Sequence, residues 1–253
     1  MSPRKQRILI ISDSRGRDLE HYIPDYLQSA YSFDFKIYPG ITLQSLYNKL
    51  KRNRKSYSLQ IVIGGICSLT EKSRDRRKKS IKYNTSSEKK REIKDTITKL
   101  ISLNDHTTVA TITPASLSDF FKYNNPSSNS RSTDVPDYSS QQINLDKDIS
   151  EINQFIKDTC LDKDRVLVNL AKASYKQSKK RRGKKSIIHT RFYNKSLSDG
   201  VHPSSELKKA WSKIISGAIK TFLDFHPSLL DSENSQTEED DSWNFKRRHS
   251  KHH

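Results

Sequence analysis

Three polar residues of the types needed for acyl transfer lie far apart in this sequence. Ser14 follows an apolar run over residues 7–12, while Asp199 and His202 stand near the other end of the chain, three residues apart. A serine hydroxyl becomes a nucleophile when a base takes its proton, and an imidazole is suited to that task near neutral pH. A carboxylate can then hold the second ring nitrogen. Ser14, His202 and Asp199 are therefore a candidate nucleophile, base and orienting carboxylate.

Each of these residues also has a simpler explanation. Asp13-Ser14 after a strand is typical of a helix N-cap. Asp199-Gly200 is typical of a turn, and the proline after His202 suits the first position of a helix. Taken singly, each simpler explanation suffices. Only their joint occurrence at the appropriate places along the chain favours catalysis.

The elements that must position these residues alternate between strand and helix patterns. Short apolar or alternating runs predict five strands, over 7–12, 33–38, 59–64, 107–113 and 165–170. Helical periodicity predicts helices over 15–30 (with Pro24 able to split the first), 43–50, 87–103, 143–160 and 203–225. The order indicates the α/β class, a three-layer α/β/α arrangement around a five-stranded, mainly parallel sheet. Such sheets carry their sites at the carboxyl ends of the strands, where Ser14, Gly40 and Cys67 fall.

In these positions the chain resembles the SGNH (GDSL-type) hydrolase family, over about residues 7–225. The family's Gly-Asp-Ser, glycine, Gly-x-Asn-Asp and Asp-x-x-His blocks correspond to Ser12-Asp13-Ser14, Gly40, Gly65-Ile66-Cys67-Ser68 and Asp199-Gly200-Val201-His202. The resemblance implies a flavodoxin-like fold and a serine esterase that hydrolyses a small acyl ester through an acyl-enzyme intermediate. It implies no metal and no cofactor.

Two residues depart from the family pattern, Ser12 in the first block and Cys67 in the third. In the family, the third-block asparagine donates to the oxyanion together with the backbone N–H groups that belong here to Ser14 and Gly40. A thiol is a weak donor, and losing one oxyanion donor costs about 10²–10³ in turnover. We therefore expect attenuated activity. Cys67 is equally well explained as a small buried residue at a strand end, and as a nucleophile it is disfavoured because no histidine follows it closely.

The charge of the chain suggests a second class of function. The formal net charge is +18, which attracts nucleic acid and other polyanions. The run Lys179, Lys180, Arg181, Arg182, Lys184 and Lys185 resembles a polyanion-binding or nuclear-localisation segment, although a solvated flexible loop would have the same composition. Phe192 and Tyr193 follow it and could stack on bases. The alternative to an esterase is thus a catalytically weakened SGNH-like module that binds nucleic acid or another polyanion, as the resemblance to domains encoded by viruses and mobile elements also suggests.

Composition predicts one domain over residues 1–225, with basic or polar inserts near 71–86, 114–140 and 171–198, and a disordered charged tail over 226–253. Two cysteines do not make a disulfide framework. The sequence has no zinc-ligand spacing, P-loop or dinucleotide fingerprint. It also has no apolar stretch of the length of a signal peptide or a membrane span. We expect an intracellular protein, cytoplasmic or nuclear.

Overall fold

A central parallel sheet organises the molecule. The computed structural model describes residues 5–73, 78–126, 136–182, 185–192 and 196–226. In this part of the chain the main sheet has four strands, which are β1 Gln6–Ser12, β2 Tyr31–Ile37, β3 Leu59–Ile63 and β6 Thr107–Val109. Their order across the sheet is β2-β1-β3-β6. All three pairings are parallel.

Helices cover both faces of this sheet. They are α1 Asp25–Ala30, α2 Leu43–Lys51, α3 Ile66–Leu69, α4 Ser87–Ile101, α5 Leu117–Asn124, α6 Ser139–Asp162 and α7 Ser205–Phe225. Because side chains alternate along a strand, Leu9 and Ile11 of β1 pack in the core formed with α2, α4, α5 and α6. Ile8 and Ile10 pack on the opposite side, with α1 and α7. The predicted three-layer α/β/α class is therefore confirmed.

The predicted fifth strand is wrong. Residues 165–169 run beside β6 but form no ladder, and a 3-10 helix, Leu170–Ser174, follows them. One backbone bond joins the two segments, from the Thr111 N–H to the Val168 carbonyl at 3.0 Å. The Thr108 hydroxyl donates to the Val166 carbonyl at 2.7 Å, and the Thr111 hydroxyl accepts from the Ala171 N–H at 2.9 Å. Threonine hydroxyls thus form hydrogen bonds with backbone groups that a regular β-ladder would have paired.

The predicted helix over 15–30 is divided into three short elements. Two 3-10 turns, Ser14–Gly16 and Leu19–Tyr22, precede α1. Pro24 lies immediately before α1, where its ring is compatible with a helix start but not with a continuous helix. The prediction that Pro24 could split this segment is confirmed.

Two segments expected to be loops contain regular structure. The predicted long loop over 114–140 includes α5, which Ser116 caps by accepting from the Asp119 N–H and which buries Leu117 and Phe121. Residues 127–135 lie outside the described part of the chain. The predicted loop over 72–82 is flanked by a two-stranded antiparallel sheet of β4 Thr70–Lys72 and β5 Ile81–Tyr83, anchored by the buried Ile81.

The second basic insert also differs from the expected flexible loop. Its backbone forms an antiparallel hairpin of β7 Tyr175–Arg182 and β8 Lys185–Phe192, which is a sheet of its own. Lys184 and Tyr193 lie outside the described residues, as does the tail from residue 227 onward. None of the described helices has both the length and the apolar character needed to cross a membrane.

Candidate active site

A tight turn holds Ser14 at the carboxyl end of β1. Asp13 caps the 3-10 turn that begins at Ser14, because its Oδ1 accepts from the Arg15 N–H at 2.9 Å. The Asp13 N–H donates in turn to the Ile63 carbonyl at the end of β3. Gly16 completes the turn, and a Cβ there would lie 2.5 Å from the Ser12 hydroxyl oxygen. The expected N-cap is therefore Asp13, which leaves the Ser14 hydroxyl available for another partner.

A second tight loop carries Asp199 and His202. The Ser198 N–H donates to the His202 carbonyl at 2.8 Å, which closes the loop at its base just before α7. Gly200 has a φ of +86°, and its carbonyl accepts from the Ser116 N–H at 2.6 Å. A Cβ on Gly200 would lie 2.4 Å from the Phe120 nitrogen, so only glycine lets the loop approach the start of α5 so closely.

The two loops bring three side chains into one hydrogen-bonded chain. Nε2 of His202 lies 2.9 Å from Oγ of Ser14, and Nδ1 of His202 lies 2.7 Å from Oδ2 of Asp199. The His202 side chain is 37% exposed and that of Asp199 is 13% exposed. The ring is therefore partly open to solvent, while the carboxylate behind it is sheltered.

The protonation of Asp199 fixes the direction of these bonds. Burial raises the pKa of Asp199, but hydrogen bonds from the His202 ring and from the His202 and Val201 N–H groups outweigh it, so the pKa lies below its ordinary value. An ionised carboxylate only accepts, so Nδ1 of His202 carries the proton that it donates to Asp199. In the neutral ring, the form that can act as a base, Nε2 is then the acceptor, and the Ser14 hydroxyl donates to it. This arrangement can remove the serine proton as the oxygen attacks a carbonyl.

The candidate oxyanion residues lie along the neighbouring strand ends. Gly40 follows β2 with a φ of +74°, and the Tyr38 N–H donates to the Ser12 carbonyl at 2.8 Å, which holds this turn beside the Ser14 turn. Among the described residues, neither the Ser14 N–H nor the Gly40 N–H has a protein acceptor. Both donors are thus available to a bound oxygen.

Cys67 lies on α3, the short helix after β3, and is partly buried. Within the described part of the chain its thiol makes no hydrogen bond. Burial and the neighbouring Asp13 raise the pKa of the Cys67 thiol, which Arg15 and Lys72 oppose only in part. The thiol is therefore held in its neutral form, which makes it a poor nucleophile as well as a weak donor.

A buried ion pair that the sequence did not predict lies directly beneath the site. Arg15 is 2% exposed, and its Nη1 donates to the Thr113 carbonyl at 2.8 Å and also to the Thr113 hydroxyl. Its Nε lies 3.8 Å from Oδ2 of the fully buried Asp13. Burial raises the pKa of Asp13 and lowers that of Arg15, and each is opposed by the charge of the other. The pair ties the Ser14 turn to the chain after β6. Nothing in the local sequence signals it, because an arginine in a turn is ordinarily exposed.

The predicted polyanion-binding residues lie on the separate hairpin. Lys179, Lys180, Arg181 and Arg182 belong to β7, and Lys185 begins β8. Across the described ranges, no group of three His, Cys, Asp or Glu side chains is placed to hold a metal ion.

No protein-family model and no curated protein matches this sequence. Several solved structures, however, have a similar fold. A Bacteroides fragilis protein described as an acylhydrolase superimposes with a TM-score of 0.56 at 16% identity, over 87% of this chain and 92% of that one. A Parabacteroides merdae protein described as a GDSL-like lipase gives a TM-score of 0.51 at 9% identity, over 86% of this chain and 97% of that one. At these identities the likeness shows the fold, and that fold is the one that the resemblance to SGNH hydrolases predicted.

Proposed function

We propose that this protein is a serine esterase of the SGNH type that hydrolyses a small acyl ester through an acyl-enzyme intermediate. The observation that carries the proposal is the chain of contacts from Ser14 through His202 to Asp199, at 2.9 and 2.7 Å. These side chains come from opposite ends of the sequence and meet at the carboxyl edge of a parallel sheet, where α/β proteins bind their ligands. The fold shared with proteins described as acylhydrolases and lipases supports the same conclusion.

The reaction follows from the direction of the hydrogen bonds. Oγ of Ser14 attacks the ester carbonyl carbon while its proton passes to Nε2 of His202. The electron pair of the carbonyl π bond moves to the carbonyl oxygen, which becomes the oxyanion. Asp199 stabilises the imidazolium that forms. When the intermediate collapses, the alcohol leaves with the proton from His202, and Ser14 remains acylated. Water activated by the same ring then releases the acid and restores the serine.

The oxyanion would be bound by the Ser14 and Gly40 N–H groups. Cys67 replaces the amide that would supply a third donor, and a thiol donates weakly. We therefore expect turnover below that of an otherwise similar site with asparagine, by about 10²-fold if no other donor replaces it.

Reaction with a fluorophosphonate probe tests the proposal. We expect covalent labelling of the wild type, at Ser14 by peptide mapping, and hydrolysis of 4-nitrophenyl acetate. Both should be lost in Ser14→Ala. A matched control is Ser29→Ala, since Ser29 is an exposed serine on α1. Labelling and hydrolysis that persist in Ser14→Ala would refute the proposal, as would a wild type inert in both assays.

A second candidate function, polyanion binding, is favoured by the β7–β8 hairpin. The segment from Lys172 to Phe192 contains no acidic residue, and its backbone forms a two-stranded antiparallel ribbon. A ribbon of this kind fits the major groove of duplex DNA, and its lysines and arginines can neutralise phosphates. The two functions are compatible, because the contacts among Ser14, His202 and Asp199 are made by side chains of the Ser14 turn and of the loop before α7.

A further inference from the structure

The ammonium group of Lys72 lies next to the candidate oxyanion site. Lys72 is the last residue of β4, the strand that directly follows α3 and Cys67. Its Nζ lies 4.0 Å from the position that a Cβ on Gly40 would occupy, and apart from Gly40 and its two chain neighbours no atom of the described residues comes as close to that position. Its charge also opposes the burial that raises the pKa of the Cys67 thiol. Lys72 therefore lies beside Gly40, and its charge acts on the Cys67 thiol.

This ammonium has no partner in the described part of the chain. Lys90, by contrast, lies 2.8 Å from both Asp148 and Glu151, and Lys94 lies 2.6 Å from Glu151. Lys72 makes no such ion pair and no hydrogen bond there, and it is exposed. As far as the described residues go, all three N–H donors of this ammonium are therefore available to a substrate.

Because Cys67 stands where the resemblance predicts an asparagine amide, the Lys72 ammonium could replace that amide as the third donor to the oxyanion. An ammonium donates a charge-assisted hydrogen bond, about twice as strong as that of a neutral donor. It also attracts an oxyanion much more than a neutral carbonyl, which is the property that stabilises a transition state over its ground state. We propose that Lys72 is a catalytic residue that donates from Nζ to the oxyanion of the tetrahedral intermediates, in the place left by the Cys67 substitution.

This inference rests on the proposed esterase function. In the acylation step the negative charge arises on the substrate oxygen while the serine proton moves to His202. Lys72 keeps its own proton throughout and only neutralises the oxyanion. When the carbonyl re-forms, the alcohol departs with the proton from His202 and the ammonium is again without a partner. No further reactant is needed.

The competing role for an exposed lysine at a site mouth is to bind a negative group on the substrate. The two roles differ in how they depend on substrate charge. An oxyanion forms with every ester, so its stabilisation affects kcat for a neutral ester such as 4-nitrophenyl acetate. A lysine that binds a substrate carboxylate would change KM only for an ester with an anionic acyl chain, such as the 4-nitrophenyl monoester of adipate.

The test compares Lys72→Met and Lys72→Arg with Lys82→Met on both esters. Lys82 is the matched control, because it is an exposed lysine on the paired strand β5, opposite Glu71. We expect kcat of Lys72→Met to fall about tenfold or more on both esters, a smaller loss in Lys72→Arg, and no change in Lys82→Met. Thermal unfolding curves of all variants should superimpose on the wild type, since these side chains are exposed.

Two results would overturn the role of Lys72 while leaving the esterase in place. One is a Lys72→Met enzyme with wild-type kcat on the neutral ester, including the case in which only KM for the adipate ester rises. The other is an equal loss in Lys72→Met and Lys82→Met, which would indicate a general effect of charge. A wild type that hydrolyses neither ester and resists the fluorophosphonate would instead refute the esterase itself.

Discussion

Asp199 holds His202 at two points. Its Oδ2 lies 2.7 Å from Nδ1 of the ring, and its Oδ1 accepts from the His202 backbone N–H at 2.7 Å. The same carboxylate therefore fixes the loop that carries the histidine and the tautomer of the ring. A single residue sets both the position of the base and the nitrogen that faces Ser14.

The first prediction separates these two roles. Asp199→Asn keeps an oxygen for the backbone N–H groups but can present its amide to the ring, which would favour the tautomer with the proton on Nε2. We expect kcat on 4-nitrophenyl acetate to fall by about 10³–10⁴ with little change in thermal stability. Kinetics and a thermal melt check this. A variant with near-wild-type kcat would show that Asp199 does not orient the base.

The second prediction concerns Gly200. A Cβ there would lie 2.4 Å from the Phe120 nitrogen and 2.6 Å from the Ser116 carbonyl oxygen, and the φ of +86° adds strain. Gly200→Ala should lower the free energy of unfolding by about 1–3 kcal/mol. It should also displace His202, and kcat should fall about 10²-fold, as expected for a misplacement of about 1 Å.

Gly217 provides the control for this substitution. It lies within α7, and a Cβ there would meet nothing within 4 Å. Gly217→Ala should stabilise the protein by up to about 1 kcal/mol through helix propensity and leave kcat unchanged. Equal unfolding midpoints for the two alanine variants, by urea denaturation, would contradict the tight contact between the Asp199–His202 loop and α5.

The third prediction concerns the thiol in the oxyanion site. Cys67→Asn introduces an amide where the present side chain makes no hydrogen bond within the described residues. In the Lys72→Met background, where the ammonium does not compete for the same place, an amide that reaches the oxyanion should raise kcat about tenfold or more. Steady-state kinetics measure this, with the rate of fluorophosphonate labelling as a second readout. A lower kcat in a variant that melts normally would indicate that the thiol itself takes part in the reaction.

Much of this site was accessible from the sequence, because its chemistry depends on residues at strand ends. The runs before Ser14 and Cys67 each contain an unbroken apolar stretch, at residues 8–11 and 61–63, which is typical of buried parallel strands. The Asp199-Gly200-Val201-His202 block has a spacing that fits a turn. The fold class and the carboxyl edge of the sheet follow from these patterns.

The rest depends on contacts between distant parts of the chain. The edge beside β6 is completed by the hydroxyls of Thr108 and Thr111, which no periodicity reveals. Arg15 is buried because it meets Asp13 and a carbonyl 98 residues away, at Thr113. Local hydropathy assigns an arginine to the surface. It takes no account of a distant partner whose hydrogen bonds and charge make burial of the guanidinium favourable.

The fourth prediction concerns stability at acidic pH. Hydrogen bonds from Lys90 and Lys94 lower the pKa of Glu151 to about 2, from an ordinary value near 4.5. A carboxylate with a depressed folded-state pKa contributes its full stabilisation above the unfolded-state value and loses it as the pH falls through the folded-state value. The stabilisation from Glu151 should therefore be complete at pH 7 and disappear between about pH 4.5 and 2.

Glu151→Gln measures this contribution. Because Glu151 is 40% exposed, solvent screens the pair, and we expect a loss of about 0.5–1 kcal/mol at pH 7. The difference from wild type should shrink toward zero near pH 2. Glu92→Gln is the control, since Glu92 is an exposed residue of α4 with no ion pair in the described part of the chain. A wild-type minus Glu151→Gln difference that stays constant from pH 7 to 2 would contradict the ion pairs.

The last prediction concerns the four cations at 179–182 on β7. If the hairpin binds nucleic acid, most of the affinity should come from counterion release, so log K falls with log salt with a slope of about −0.9 per phosphate contacted on duplex DNA. Replacing all four with alanine should flatten this slope. Hydrolysis of a neutral ester should be unchanged, because salt screens exposed charges beyond about 10 Å at 0.1 M and the contacts among Ser14, His202 and Asp199 are local.

A control with the same change of charge replaces four lysines outside the hairpin, Lys147, Lys209, Lys213 and Lys220. Binding to a DNA duplex at about 50 and 200 mM salt spans the range over which such contacts weaken. If the two quadruple variants lose the same affinity, the attraction belongs to the net charge of +18 and not to the hairpin. If the wild type does not bind at the lower salt, the hairpin is no polyanion site, and its cations keep only a solubilising role.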